Sequence, residues 1–253
     1  MRTISTKQKS LTHATRRLTL PRLAIAAFAS AALAFALSAC QNVATFTQPT
    51  LIRVIDASYA APAIDVVVQG STLAANIGQG TITPYGTLPA SLGAQIKITA
   101  SIGGATLLNS SSSFLAGQQN SILIADSTTV PGAYNVSVLA DQQVSAASGH
   151  SAFRFLNQAL KTGAVDVYMV PANSTLANSV PIVTALPVGG NSGYISFISQ
   201  TVTMVVTPTG LTTPKYTSTP LALTGSEVRT VLLVDTQLTS NPPVQAFIAN
   251  DVN

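Results

Sequence analysis

The sequence predicts an all-β protein: two tandem immunoglobulin-like antiparallel β-sandwich domains behind an N-terminal signal helix. Three observations carry that reading. Beyond residue 40 the chain is built of short apolar or alternating runs such as "LIRVID", "AIDVVV", "AQIKITA", "NSILIAD" and "YNVSVLAD", separated by Gly, Pro, Ser and Asn clusters, the pattern of strands and turns. No segment there sustains an apolar 3.6 period, the signature of a helix. The runs also recur. "RVIDASYAAPAIDVVV" from Arg53 matches "RFLNQALKTGAVDVYM" from Arg154 at an offset of 101.

The first element, residues 1–39, reads as a signal peptide. Arg2, Lys7, Lys9, Arg16, Arg17 and Arg22 precede an apolar run from Leu23 to Leu37 broken only by Ser30. A basic n-region followed by an apolar h-region is the layout of a secretory signal, and the run is short for a bilayer span, which needs about 20 residues. Leu37-Ser38-Ala39-Cys40 follows, and Cys40 is the only cysteine. This stretch resembles the bacterial lipobox. The resemblance implies acylation of the Cys40 sulfur by a diacylglycerol, cleavage before it, and attachment to a membrane through lipid. A thiol suits that chemistry because its thiolate is a strong nucleophile, and two acyl chains give stable anchoring where one does not. Gln41, where enteric inner-membrane lipoproteins carry Asp, points by resemblance to the outer membrane of a Gram-negative envelope. Thr15-Arg16-Arg17-Leu18-Thr19-Leu20 partly resembles a twin-arginine signal but lacks its Phe, which favours the general export route.

Residues 40–48 form a tether. The two repeats span 49–143 and 151–253, joined by a small-residue linker at 144–150. Later matches drift in offset: Tyr85 with Tyr194 and Asp126 with Asp235 at 109, Asp141 with Asp251 at 110. Such stepwise growth is expected when loops between shared strands lengthen. The repeat openings, Arg53-Val54-Ile55-Asp56-Ala57-Ser58 and Ala61-Pro62-Ala63-Ile64-Asp65-Val66-Val67-Val68, resemble the bacterial domain of unknown function family 4397. The likeness is weaker at Asn157-Gln158-Ala159-Leu160. It implies a secreted or lipid-anchored tandem β-sandwich and no activity.

Charge narrows the function. Half of the twelve Lys and Arg lie in the signal, so residues 40–253 carry six basic against eight acidic side chains, a net charge of −2. That is no footprint for nucleic acid. No cofactor is expected. A metal site is not expected either, because His150 is the one histidine after the signal and zinc wants three or four ligands. Gly149-His150-Ser151-Ala152 resembles half of a Gly-x-Ser-x-Gly elbow, with Phe153 where the second Gly belongs; it reads as an exposed linker. Gly189-Gly190-Asn191-Ser192-Gly193 lacks the Lys of a phosphate loop and reads as a hairpin turn. An enzyme is therefore not expected.

Two constellations remain. Arg53 and Asp65 are twelve residues apart, as are Arg154 and Asp166. Their repetition in a chain so poor in charge predicts structural ion pairs linking neighbouring strands or sheets, with a ligand-facing pair as the alternative. Tyr85 and Tyr194 are equivalent and flanked by small residues. They are candidates for glycan stacking at a loop end, or for a tyrosine that caps the sandwich edge through its hydroxyl. The expected function is that of a lipid-anchored envelope protein whose two non-catalytic modules serve a structural, spacer or binding role; the alternative is a surface adhesin or glycan-binding lipoprotein. Its partners would be the membrane through Cys40 and an envelope protein or glycan.

Overall fold

The computed structural model describes residues 48–237 and 243–252. The signal, Cys40 and most of the tether lie outside the described residues. From Thr47 onward the chain forms one compact unit, and its described residues are almost wholly β, with one 3-10 turn among them at Leu176–Asn178.

Strands β1 (Thr50–Asp56), β2 (Ile64–Val68), β3 (Ser71–Ile77), β4 (Gly86–Leu88), β5 (Ser91–Ala100), β6 (Thr106–Phe114), β7 (Gln119–Asp126) and β8 (Tyr134–Ala140) make the first half. They lie in two sheets, ordered β4-β1-β7-β8 and β3-β2-β5-β6. The second half has β9 (His150–Gln158), β10 (Val165–Pro171), β11 (Val183–Leu186), β12 (Gly190–Ile198), β13 (Thr201–Pro208), β14 (Tyr216–Thr217), β15 (Leu221–Ala222), β16 (Val228–Asp235) and β17 (Val244–Asn250). Its sheets run β12-β9-β16-β17 and β11-β10-β13-β14, with β15 also on β13. The strand order of the first half thus recurs in the second.

The sandwich architecture is the expected one, with one refinement. Most neighbours are antiparallel, but β1 pairs with β7 in parallel, from Leu51 opposite Gln119 to Asp56 opposite Ile124. β9 does the same with β16, from Ala152 opposite Val228 to Gln158 opposite Val234. Both sheets that contain a parallel pair are inner layers. β1, β7, β9 and β16 are buried almost throughout, as parallel strands covered on both faces must be.

Strand alternation explains the layering. On β1, Ile52 and Val54 enter the core of the first half with Ile64, Ile96 and Ile122. On β9, Phe153 and Phe155 enter that of the second with Val167, Met204 and Val231. The opposite faces of the same strands build a third apolar layer, in which Ile55, Leu123 and Ala125 meet Leu156, Leu232 and Val234. Four sheets are therefore stacked around three apolar layers.

Two expectations about turns change. Gly190–Gly193 is not a hairpin turn but the start of β12, where the register against β9 slips between Asn191 and Tyr194. Ser192 Oγ accepts there from Phe155 N–H at 2.9 Å, so the bulge is satisfied by a side chain. His150 opens β9 rather than hanging in the linker. Its ring lies 3.3 Å from the Ser148 carbonyl, while the Ser151 hydroxyl is shared with Ser199 and the Thr224 carbonyl.

Candidate functional site: a buried ion network between the halves

One end of the third layer is not apolar. Arg53 on β1 and Arg154 on β9 alternate with residues of their own cores, so both side chains must point at the opposite half. Each is only 1% exposed. A guanidinium so buried requires both a counter-charge and saturated hydrogen bonds.

Both requirements are met across the interface. Arg53 Nη2 donates to Asp251 Oδ1 at 2.5 Å, and Arg154 Nη2 donates to Asp141 Oδ1 at 2.6 Å. Asp141 and Asp251 occupy equivalent positions, each just past the last strand of its half. Arg53 Nε also donates to Ser121 Oγ at 2.7 Å and lies 3.8 Å from Asp141 Oδ2. Arg154 Nε donates to Thr230 Oγ1 at 3.2 Å. The remaining Nη1 groups reach main-chain carbonyls, Asn250 for Arg53 and Ala140 for Arg154, each at 3.2 Å. The second carboxylate oxygens are satisfied too. Ser121 Oγ and Tyr85 Oη donate to Asp141 Oδ2 at 2.6 and 2.7 Å. Thr230 Oγ1 and Tyr194 Oη donate to Asp251 Oδ2, both at 2.7 Å.

The two tyrosines complete the lining. The Arg53 guanidinium lies 4.7 Å from the Tyr85 ring centroid and Arg154 lies 4.8 Å from that of Tyr194, within cation–π range. Burial pushes both phenols well above the ordinary tyrosine range. The adjacent arginine opposes the shift, and the carboxylate that accepts the hydroxyl reinforces it. Both tyrosines therefore remain neutral donors to carboxylates, and the Tyr194 hydroxyl also accepts from Gln142 N–H at 3.2 Å.

The expected pairing of Arg53 with Asp65 and of Arg154 with Asp166 is corrected by this geometry. β1 and β2 belong to different sheets, as do β9 and β10, and the arginines point away from the sheets that carry those acids. Asp65 and Asp166 instead serve β-bulges. Asp65 Oδ1 accepts from Asn76 N–H at 2.8 Å and Ser101 Oγ at 2.6 Å. Asp166 accepts from Ala185 N–H at 2.7 Å and Gly210 N–H at 3.0 Å. Asn76 and Ala185 have φ of 52° and 51°, a left-handed conformation costly for non-glycine residues, and the carboxylate holds each in place. The Ser101 and Asn76 bonds keep the Asp65 carboxyl below the usual range.

Asp126 and Asp235, repeated without an assigned role in the sequence, each fasten a loop. Asp126 accepts from Tyr59 N–H and from Ala60 N–H, and Asp235 from Lys161 N–H and the Thr162 hydroxyl. Asp56 and Asn157 begin the same loops, accepting from Ser58 N–H at 2.9 Å and Ala159 N–H at 3.0 Å. Here the halves differ. Asn157 Nδ2 donates to the Gly163 and Leu186 carbonyls, both at 2.9 Å, whereas Asp56 Oδ2 is buried without a partner. Burial raises the Asp56 carboxyl above its usual range, with Asp126 adding to the shift.

A cleft of about 310 Å³ opens between the halves at the other end of the third layer, lined by Asp126, Thr128, Asn135, Ser137, Gln158 and Gly189 among others. Among the described residues, no three His, Cys, Asp or Glu side chains are grouped as a metal would need.

Residues 50–168 match the family described as Domain of unknown function (DUF4397). No curated protein matches the chain. Among solved structures, the crystal structure of CBMbc, a family CBM26 module of Eubacterium rectale Amy13K in complex with maltoheptaose, aligns over 79% of this chain and 96% of its own. The identity is 12% and the TM-score 0.24.

Proposed function

We propose that this is a lipid-anchored protein of the bacterial cell envelope, held to a membrane through Cys40, whose two non-catalytic sandwiches arose by duplication of one domain and act as a rigid binding or spacer unit. The observation that carries the reading is the use made of the repeated charges. Arg53, Arg154, Asp141 and Asp251 neutralise one another inside the protein, while Asp65, Asp126, Asp166 and Asp235 fix backbone. These groups bolt the halves together and brace their loops.

Duplication is supported by the recurring strand order and by the paired roles of Tyr85 with Tyr194 and Ser121 with Thr230. The anchor is supported by the lipobox-like residues alone and is tested directly. Cys40→Ser should abolish palmitate labelling and release the protein from the membrane fraction. A Cys40→Ser protein that still fractionates with membrane at the mature size would refute the anchor.

A second reading, recognition of a polar ligand such as a glycan, is favoured by the inter-half cleft, whose amides, hydroxyls and carboxylate suit sugar hydroxyls. The soluble form beginning at Gln41 should then bind on a glycan array and lose binding on Asn135→Ala. A blank array would leave the spacer role.

A further inference from the structure

The two ends of the stacked sandwiches differ in character. Call lower the end at which β1 begins. Strand directions place there, among other turns, Pro89–Leu92 leading into β5, Leu115–Gln118 between β6 and β7, Asp141–Gly149 after β8, and Ile198–Gln200 from the end of β12 into β13. These turns are tied to one another. Ser91 pairs with Phe114, Gln143 Nε2 donates to the Gly117 carbonyl at 3.0 Å, and Ser199 N–H donates to the Gly149 carbonyl at 2.9 Å.

Each presents an aliphatic side chain to solvent: Leu92 is 79% exposed, Leu115 49%, Val144 75% and Ile198 65%. Single exposed aliphatics need no explanation, but several on adjoining turns do. The one charged residue in these turns is Asp141, which is buried and paired with Arg154 at 2.6 Å. The neighbouring Glu227 is paired with Arg229 at 3.0 Å. Asp56, Asp65, Asp126, Asp166 and Asp235 all lie towards the upper end, where β1, β7, β9 and β16 finish and β2 and β10 begin. The upper turns carry Ile102, Val130, Leu160 and Leu211 as well, but among these acids, Lys161 and Lys215.

The chain that leads back to Cys40 leaves from the lower end, beside Leu115. Gly117 N–H donates to the Pro49 carbonyl at 3.0 Å and Leu51 N–H to that of Gln118 at 2.9 Å. Gln48 is eight residue steps from Cys40, so the lower end cannot stand more than about 28 Å from the acylated sulfur.

We propose that the lower end, through Leu92, Leu115, Val144 and Ile198, docks into the headgroup layer of the bilayer that holds Cys40. This rests on the lipid-anchor reading above. An aliphatic end whose charges are buried or paired can enter the interface, while the acids of the upper end are kept from the anionic surface. Docking fixes the orientation: the polar cleft then faces away from the membrane, about one seven-residue strand, ~23 Å, above it.

The test uses the full lipidated protein in phosphatidylethanolamine–phosphatidylglycerol vesicles containing a nitroxide-bearing lipid. With Cys40 acylated no other thiol exists, so Ala116→Cys and Ile102→Cys take a single fluorophore each. Lipid nitroxide should quench the label at 116 several-fold more strongly than the label at 102. Adding Leu92→Ser and Leu115→Ser, both exposed sites, should remove the difference while palmitate labelling and circular dichroism stay unchanged. Equal quenching at 116 and 102 in palmitate-labelled protein overturns the docking and leaves the anchor standing. Protection of 116 from aqueous iodide without lipid quenching assigns the surface to a protein and also overturns it. A protein that takes up no palmitate overturns the anchor and the docking together.

Discussion

Asp251 closes the second half of the chain, yet the charge it neutralises belongs to the first. Asp251→Ala removes the carboxylate that accepts from Arg53 at 2.5 Å and from Thr230 and Tyr194 at 2.7 Å. Arg53 stays where it is, because β1 holds it between the sheets. It is left with neutral acceptors and with Asp141 at 3.8 Å, a carboxylate already claimed by Arg154. Stranding one partner of a buried pair costs about 3–5 kcal/mol. The residual attraction of Asp141 puts the expectation at the lower end, ~3 kcal/mol, a large part of the roughly 5–15 kcal/mol that holds a domain folded. Urea unfolding followed by circular dichroism measures it, with an unchanged m value showing that the folded state keeps its extent. In a double-mutant cycle with Arg53→Met, the coupling between these residues from opposite halves should exceed about 1 kcal/mol. Asp65→Ala, which touches no arginine, should cost clearly less than Asp251→Ala. A loss below about 1 kcal/mol for Asp251→Ala, the value of a surface pair, would refute the buried network, as would a transition in which only the second half is affected.

Asp56→Asn copies the amide already present at Asn157 and should raise stability at neutral pH. A carboxyl whose folded pKa is raised stabilises the fold fully below its unfolded value, about 3.9, and loses that contribution as pH rises through the folded value. The variant should therefore match the parent near pH 3 and exceed it at pH 7 in thermal melts; equal stability at both would refute the shift. Gly80→Ala should cost about 2–4 kcal/mol in the same assay. Gly80 has φ of +87°, and a Cβ there would sit 2.4 Å from the ring of Phe247, which packs on the layer between the halves. Proteolytic cleavage between Ser145 and His150 should leave the halves together on size-exclusion chromatography until denaturant is added. An isolated 49–143 fragment, with Arg53, Ile55 and Leu123 uncovered, should unfold without a cooperative transition; a sharp one would show that the third layer is dispensable.

The fold class was legible because strand periodicity and turn residues are local signals, and the repeat made each half a check on the other. What escaped was which strands share a sheet. β1 and β2 are adjacent in sequence and carry Arg53 and Asp65, so proximity along the chain suggested a pair, but sheet order is decided by long-range packing that no short window records. A sign of the true arrangement was present. "LIRVID" and "AFRFLNQ" are apolar almost without alternation, as strands covered on both faces are, and an arginine inside such a run must be buried against something outside its own sandwich. Of the two repeated acid pairs given no role, Asp126 with Asp235 and Asp141 with Asp251, it is the second that answers it. The same reasoning separates the tyrosines from a binding site. Tyr85 and Tyr194 recur because each arginine brings its carboxylate and its ring with it, so their repetition belongs to the interface. A ligand site built by duplication would appear twice, once in each half; the cleft at Asp126, Asn135 and Gln158 occurs between the halves, where each contributes different residues, so the repeat of Asp126 as Asp235 gives no sign of it.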